Sequence, residues 1–252
     1  MPLPLALLAA TLAAATPAPS CQATSPDHQV ALVELYTSQG CSSCPPADRW
    51  LSTLGRHAHA SDLVPIALHV GYWDYIGWKD PYANPAHNER QRALAQANGS
   101  RSVYTPGVFL QGRELPRWSD AARFEREVLS VIRSPARARL RLAARFEVDR
   151  VVIEAKAAAR AGATLREPRL VVALVQDGLD TAVSAGENRG ARLRNDRVVR
   201  QWSGALGLEP APISWALPAG VDPRRLRVVA FVEERREGAG VLQALELSLG
   251  AC

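Results

Sequence analysis

The clearest chemical signal in the sequence is a pair of cysteines separated by two serines, Cys41 and Cys44. Pro45 and Pro46 follow directly, and prolines are tolerated in the first turn of a helix because the amides there have no intrahelical partner. The pattern therefore predicts a helix that begins at the dithiol. The free amides and the dipole of such a helix start stabilise a thiolate on Cys41, and Cys44 is close enough to resolve a mixed disulfide. We expect these two cysteines to be catalytic residues in thiol-disulfide exchange.

Two other chemistries fit the same cysteines. They could bind copper or zinc together with His69 or His87 in a metal-delivery or metal-sensing protein, although no second Cys-x-x-Cys and no His-x-x-x-His completes a four-ligand set. They could also form a permanent disulfide in a non-catalytic binding module, with Glu187–Gly190 as its contact loop. A disulfide that closes so short a loop stabilises less than the ~3 kcal/mol expected for a loop of about 15 residues. We therefore favour redox chemistry, without a cofactor and without a metal.

An aromatic loop follows His69 and contains Trp73, Tyr75 and Trp78. Tryptophan and tyrosine combine a large apolar surface with a polar edge. These rings could therefore bind a peptide substrate beside the dithiol, or they could cover the core. The sequence leaves both roles open.

The elements that must position the dithiol are predicted from hydrophobic periodicity and turn signals. A buried apolar strand, residues 30–36, precedes the dithiol and its helix. A second apolar strand, residues 63–70, follows that helix, which predicts a βαβ unit with two parallel strands. Asn84 and Pro85 then mark the start of another helix, and Gly99 marks its end.

A hairpin within residues 108–118 and a helix capped by Ser119 and ended by Pro135 complete the order βαβα-ββα. Beyond Pro135, short apolar runs alternate with glycine and proline turns, which predicts an all-β sandwich of about seven strands. The expected fold class is an α/β N-terminal domain followed by a smaller all-β sandwich-like domain. The apolar runs that favour the second domain are residues 151–153, 170–175, 198–199 and 226–232.

A strand, a Cys-x-x-Cys at a helix start and a proline before a later hairpin strand together resemble the thioredoxin fold, over residues 30–133. Thr105 and Pro106 occupy the cis-proline position of that fold. The resemblance implies that both residues lie against the dithiol and receive the substrate backbone. It also places Glu34 like the buried acid behind a thioredoxin dithiol. A buried carboxyl group has a raised pKa and could accept a dithiol proton, or Glu34 could instead pair with an arginine.

The chain also contains four longer motifs, namely VELYTSQGCSSCPPAD, HVGYWDYIGWKDP, VYTP and GENRGARLRNDRVV. They are similar to those of a bacterial family of secreted thioredoxin-like proteins that is catalogued only as a domain of unknown function. The resemblance implies export and a thioredoxin-like domain, but it implies no substrate. Because serines separate the cysteines and no aromatic residue precedes Cys41, the redox direction stays open.

The N-terminus has the pattern of a secretory signal peptide, which we place at residues 1–20. Its apolar run is shorter than the roughly 18 residues that a membrane-spanning helix needs, so no transmembrane segment is expected. Export implies the periplasm or the extracellular space, where cysteines pair. Domain termini often lie close together, so we expect a structural disulfide between Cys21 and Cys252. The alternative is a lipid anchor on Cys21, which would prevent that disulfide.

Length and charge limit the remaining possibilities. The chain of 252 residues is long enough for two domains after the leader, and we place them at residues 28–134 and 136–250. The net charge of +5 comes from scattered arginines and not from a basic stripe, so no nucleic-acid partner is expected. The expected partners are protein or peptide thiols and disulfides together with a redox partner. A thiol-disulfide oxidoreductase is the favoured enzyme class.

Overall fold

The computed structural model describes residues 20–234 and 240–252. The predicted signal peptide, residues 1–20, lies outside this part of the chain except for Ser20, which begins a strand. Within the described residues, no helix is long and apolar enough to cross a membrane.

The α-helices are α1 (Pro45–Thr53), α2 (Pro85–Ala97) and α3 (Ala121–Ile132). The strands are β1 (Ser20–Thr24), β2 (Ala31–Thr37), β3 (Leu63–His69), β4 (Gly107–Leu110), β5 (Arg113–Glu114), β6 (Ala138–Glu147), β7 (Arg150–Ala159), β8 (Pro168–Gln176), β9 (Leu179–Ala182), β10 (Arg192–Asn195), β11 (Val198–Trp202), β12 (Ile213–Ala216), β13 (Leu226–Glu234) and β14 (Val241–Ser248).

Residues 31–132 have the element order that the sequence predicts, β2-α1-β3-α2-β4-β5-α3. Helix α2 begins as expected, because the Asn84 side chain accepts a hydrogen bond from a first-turn amide at 3.0 Å and Pro85 lies in that turn. Helix α3 is capped by Asp120 and not by Ser119. The Asp120 carboxylate accepts a hydrogen bond from the Arg123 amide at 2.9 Å. A carboxylate caps a helix as well as a hydroxyl does, and its charge also suits the positive end of the helix dipole.

The large sheet contains eight strands in the order β14-β13-β8-β11-β3-β2-β4-β5. Strand β3 runs parallel to both of its neighbours, β2 and β11, and the other neighbouring pairs are antiparallel. Through β11, the C-terminal half of the chain covers an edge of β3 that would otherwise present free backbone groups. Strands from both sides of residue 135 therefore belong to one hydrogen-bonded sheet, although the sequence suggested a domain boundary near that residue.

A four-stranded antiparallel sheet, in the order β1-β6-β7-β12, packs against the β8 and β13 part of the large sheet. Leu140 of β6 and Ile153 of β7 share a buried cluster with Leu170, Leu174 and Val228 of the large sheet. This packing follows from the alternation of buried and exposed residues along β6, since successive side chains of a strand point to opposite faces. Two layers of sheet thus enclose the C-terminal core.

The disulfide expected between Cys21 and Cys252 is present, with Cα atoms 5.0 Å apart. It joins β1, which pairs with β6, to the end of a short 3-10 helix (Leu249–Ala251) that follows β14. Because this bond uses the sulfur of Cys21, it excludes the alternative of a lipid anchor on that residue in the same molecule.

The two faces of β2 pack against different helices. Val33 and Leu35 belong to a core cluster that includes residues of α1 and α3, whereas Leu32 and Tyr36 belong to the cluster on the other face, next to α2. Because side chains alternate along a strand, Glu34 shares the face of Leu32 and Tyr36. It therefore points away from the helix that carries the dithiol.

Candidate functional site

Cys41 and Cys44 form a disulfide at the start of α1, with Cα atoms 5.5 Å apart. Cys44 is the N-cap of the helix, and its carbonyl oxygen accepts hydrogen bonds from two first-turn amides at 2.9 and 3.1 Å. Both cysteines are 0% exposed, whereas Ser42 and Ser43 between them are exposed. The turn lies at the surface, but its two sulfur atoms are covered.

The dithiol faces the turn that contains Thr105 and Pro106, and the peptide bond between these two residues is cis. The Thr105 carbonyl oxygen lies 3.8 Å from Cys41 Sγ and 3.5 Å from Ser43 Oγ. Ser43 Oγ in turn lies 3.3 Å from Cys41 Sγ. The structure therefore brings together the dithiol and the Thr105–Pro106 turn, and Cys41 is the cysteine nearest to it in these contacts.

The three aromatic candidates lie in different surroundings. Trp73 Nε1 donates a hydrogen bond to Thr105 Oγ1 at 2.7 Å, so this ring holds the turn beside the dithiol. Trp78 is half-buried and packs closely against Gly186, where an added Cβ atom would lie 3.1 Å from Trp78 Cβ. Tyr75 is 82% exposed. The two tryptophans therefore pack within the protein, and Tyr75 is free to contact a partner.

The dithiol turn is covered by residues 184–190, here called the cover segment. Its Glu187 carboxylate accepts a hydrogen bond from the Ser42 amide at 2.8 Å. The side-chain amide of Asn188 donates to the carbonyl oxygens of Gln39 and Cys41, both at 2.9 Å. The loop that the sequence suggested for binding a partner protein thus binds the dithiol turn of its own chain.

Asp48 is a buried acid on the dithiol helix that the sequence analysis did not single out. It lies four residues after Cys44, and side chains at this spacing share one face of a helix. Burial disfavours the carboxylate and raises the pKa of Asp48 to about 6, although the charge of His69 opposes the rise. Asp48 is thus a carboxyl group that can gain or lose a proton near neutral pH.

His69 forms a buried pair with Asp80, whose Oδ2 atom lies 2.8 Å from His69 Nδ1. Burial by itself would lower the pKa of His69, but the charge and hydrogen bond of Asp80, together with Asp48, outweigh it and raise that pKa. Burial would likewise raise the pKa of Asp80, and His69 reverses the effect and holds it low. Asp80 Oδ2 also accepts a hydrogen bond from the Gln39 amide at 2.8 Å. Gln39 therefore connects the pair to Asn188 of the cover segment.

In each of the two histidines considered as metal ligands, the Nδ1 atom has a partner within the protein. His87 Nδ1 donates to the His69 carbonyl oxygen at 2.9 Å, and burial lowers the pKa of His87 to about 4. In the part of the chain that the structure describes, no group of three or more His, Cys, Asp or Glu side chains could hold a metal ion. The alternative ligand set of Cys41, Cys44 and His69 is therefore not assembled as a metal site.

The expectation that Glu34 accepts a dithiol proton is wrong. Glu34 is fully buried, but its carboxylate accepts hydrogen bonds from Arg90 Nε at 2.6 Å and from Arg90 Nη2 at 3.0 Å. Tyr36 also donates its hydroxyl to Glu34 at 3.0 Å. The alternative of an arginine pair is the one that the structure contains. Strand alternation explains the result, because it directs Glu34 to the face of β2 opposite α1.

The residues that the sequence did not reveal differ in whether a local pattern could have indicated them. The spacing of Asp48 and Cys44 is local, so the helical periodicity after the cysteines could have placed that acid on the same face of α1 as Cys44. Glu187 is 145 residues from its partner Ser42, and Asn188 is 147 residues from Cys41. No periodicity reports contacts at such separations, and only the fold reveals them.

A family model described as "Protein of unknown function (DUF1223)" matches residues 32–233. This match confirms the resemblance to a catalogued domain without an assigned function. No curated protein matches the chain. The crystal structure of a protein from Agrobacterium tumefaciens is similar, with 26% identity, a TM-score of 0.63, and coverage of 89% of this chain and 96% of that chain. HBP35 of Porphyromonas gingivalis is 14% identical, with a TM-score of 0.62 and coverage of 89% and 76%, and shares the fold alone.

Proposed function

The chain belongs to this family of unknown function, and we propose that it is an exported thiol-disulfide exchange protein that acts through Cys41 and Cys44. The observation that carries the proposal is the disulfide at the start of α1, which faces the Thr105 carbonyl oxygen at 3.8 Å. A helix start stabilises a thiolate, and a neighbouring carbonyl gives an extended substrate a place to align. This combination suits exchange better than it suits a simple structural bridge.

The proposal includes a thioredoxin-like arrangement of residues 31–132. Three features support it: the element order β2-α1-β3-α2-β4-β5-α3, the strand order β3-β2-β4-β5, and the packing of α1 and α3 against one face of β2 with α2 against the other. The Thr105–Pro106 turn directly precedes β4. This arrangement places the turn and the start of α1 at the same end of the sheet.

In the proposed reaction, a partner thiolate attacks Cys41 Sγ and forms a mixed disulfide. The bond between Cys41 and Cys44 breaks, and its electron pair leaves on the Cys44 sulfur, which takes up a proton. In the reverse direction, the Cys44 thiol loses that proton and attacks Cys41 Sγ. The bond to the partner then breaks, and the partner leaves as a thiolate.

Asp48 is the proton carrier in this scheme. It follows Cys44 by one helical turn, a spacing at which two side chains lie on the same face of a helix. A pKa of about 6 suits a group that must both accept and donate a proton near neutral pH. The His69–Asp80 pair tunes this group, because the charge of His69 keeps the Asp48 pKa from rising further.

A second candidate function is favoured by the complete burial of both sulfurs. In that alternative, the disulfide is a permanent staple and the protein is a non-catalytic binding module. The two candidates differ in the fate of the disulfide, since a staple is not attacked by partner thiols in the folded protein. A disulfide potential below about −300 mV would also favour the staple.

The proposed location is the periplasm or the extracellular space. It is supported by the disulfide between Cys21 and Cys252, a type of bond that persists in oxidising compartments. The proposed partners are protein or peptide thiols and disulfides, together with a protein that resets the redox state.

The test of the exchange proposal is the trapping of mixed disulfides. A Cys44→Ser variant, exported in cells or incubated with disulfide-bonded peptides, should accumulate mixed disulfides through Cys41, because the Cys41 thiolate displaces one peptide thiol and no resolving thiol is present to release the other. A Cys41→Ser variant is the matched control and should accumulate few. Circular dichroism checks that both variants are folded. Equal and negligible trapping in the two variants, across several redox buffers, would support the staple and reject exchange.

A further inference from the structure

The cover segment is the tip of a separate hairpin. Strands β9 and β10 pair only with each other among the described strands and form a two-stranded antiparallel sheet outside the two larger sheets. The Val183 amide donates to the Ala191 carbonyl oxygen at 2.9 Å, and the Gly190 amide donates to the Val183 carbonyl oxygen at 2.8 Å. These bonds close the tip on itself, so it can keep its shape when it moves.

The tip meets the dithiol turn mainly through polar atoms. Glu187 binds the Ser42 amide, and Asn188 binds the two carbonyl oxygens on either side of Gly40. Gly186 lies flush against the aromatic loop, where an added Cβ atom would come within 3.3 Å of Ile76 Cδ1. The tip thereby covers the dithiol turn, although none of the side chains in residues 184–190 is buried in the core.

The attachment of the tip is weak compared with that of the core strands. Within residues 184–190 every side chain or glycine is exposed or half-buried, and Glu187 is exposed although it makes a hydrogen bond. Solvent-exposed hydrogen bonds with few buried apolar contacts mark segments that open at low free energy. An exposed hydrogen bond exchanges readily for one to water, so each of these bonds adds little to the stability of the closed tip. A partner can therefore displace the tip without unfolding the sheet.

We infer that the cover segment is a displaceable gate, which excludes partners from Cys41 until Glu187 and Asn188 release the dithiol turn. This inference rests on the proposed exchange function, and it adds a way in which the access of partners to the disulfide is regulated. A partner that opens the gate competes for the Ser42 amide, and it does so with an acceptor of the same kind, a carboxylate or a main-chain carbonyl oxygen. The disulfide is protected while no such partner is bound.

The gate is tested by the rate at which dithiothreitol reduces the disulfide, followed by alkylation and mass spectrometry of the Cys41–Cys44 peptide. Asn188→Ala removes two hydrogen bonds to the turn and should raise the rate about tenfold. Glu187→Gln keeps an acceptor but loses the charge, so it should raise the rate by a smaller factor. The matched control is Arg189→Ala, since Arg189 is exposed in the same segment, and it should reduce at the wild-type rate.

Hydrogen exchange of the Ser42 amide, measured by NMR, gives a second readout. In Glu187→Gln and Asn188→Ala this amide should exchange faster, while the amides of β2 keep their protection. Equal reduction rates in all four proteins would overturn the gate. If instead Asn188→Ala speeds reduction but Cys44→Ser still traps no partner, the gate stands and the exchange function fails, so the two failures are distinguishable.

Discussion

Arg90 binds both carboxylate oxygens of Glu34, at 2.6 Å from Nε and 3.0 Å from Nη2, and the pair ties α2 to β2 on the face of the sheet away from the dithiol. The same guanidinium donates to Glu233 of β13 at 3.0 Å and lies over the rings of Trp202 and Phe231. Arg90 therefore connects the two halves of the large sheet. The role of Glu34 is structural.

We predict that Glu34→Gln destabilises the protein by about 3 to 5 kcal/mol, because it leaves a buried guanidinium without one of its charged partners. Urea unfolding at pH 7 measures the change. Glu147→Gln is the matched control, since Glu147 forms an exposed pair with Arg145 and such pairs contribute less than about 1 kcal/mol. If Glu34→Gln lowered the exchange rate in the folded protein while leaving stability intact, a catalytic role for Glu34 would have to be restored.

Asp48 is predicted to make stability depend on pH. Its pKa rises on folding from 3.8 to about 6, so the folded state binds the proton more tightly than the unfolded state does. The contribution of Asp48 to the free energy of unfolding is therefore most favourable below pH 3.8. This contribution is lost as the pH rises through about 6, and it is constant at higher pH. Asp48→Asn should raise the free energy of unfolding at pH 8 by up to about 3 kcal/mol and leave it little changed near pH 4.

The control for this measurement is Asp149→Asn, because Asp149 is exposed on the β6–β7 turn. Its stability should follow the wild-type pH curve. An Asp48→Asn curve parallel to that of the wild type would show that the Asp48 carboxyl group titrates alike in the folded and unfolded states.

Asp48 is also predicted to control the closing of the disulfide. In Asp48→Asn the reaction of Cys44 with a mixed disulfide on Cys41 should slow by about a hundredfold at pH 7, the typical loss when a proton acceptor is removed. Rapid-quench kinetics with glutathionylated Cys41 measures this step. In the wild type the rate should rise with pH through about 6, and His69→Gln should move that rise to higher pH because the His69 charge keeps the Asp48 pKa low. If neither substitution changed the rate of this step, Asp48 would have no part in the reaction.

The disulfide between Cys21 and Cys252 is predicted to stabilise the protein without affecting the dithiol. It closes a loop with a sequence separation of 231 residues, and cross-links of long loops restrict the unfolded chain most. Cys21→Ser/Cys252→Ser should therefore lose about 2 to 5 kcal/mol in guanidinium unfolding under non-reducing conditions. Trapping through Cys41 at low temperature should be unchanged, and a loss of trapping in the folded double variant would contradict this separation of roles.

Tyr75 is predicted to contact substrate. Tyr75→Ala should raise the KM for a disulfide-linked peptide several-fold and leave reduction by dithiothreitol unchanged, because dithiothreitol is too small to reach the aromatic loop and the dithiol together. Tyr104→Ala is the control, since Tyr104 is the other exposed tyrosine, at 43%, and its hydroxyl binds Glu114. Equal peptide kinetics in the wild type and both variants would leave Tyr75 without a role in binding.

Local signals in the sequence were sufficient for much of the first half of the chain. The prolines after Cys44 located the start of α1, and Asn84 with Pro85 located the start of α2. The contact between the dithiol and Thr105 also agrees with the prediction, although it rested on resemblance and not on periodicity. The helix starts depend on backbone groups within a few residues, which is why spacing reports them, whereas the contact of Cys41 with Thr105 spans 64 residues.

The sequence by itself determined the element order of residues 31–132 and that Cys41 and Cys44 meet at a helix start. Only the tertiary structure decided that Glu34 faces Arg90, that β11 continues the sheet of the N-terminal half, and that Glu187 and Asn188 cover the dithiol. The physical reason is the distance along the chain between the residues that interact. Helix starts and strand alternation are set by neighbouring residues, whereas the face that a buried charge meets and the loop that covers a turn depend on how distant segments pack together.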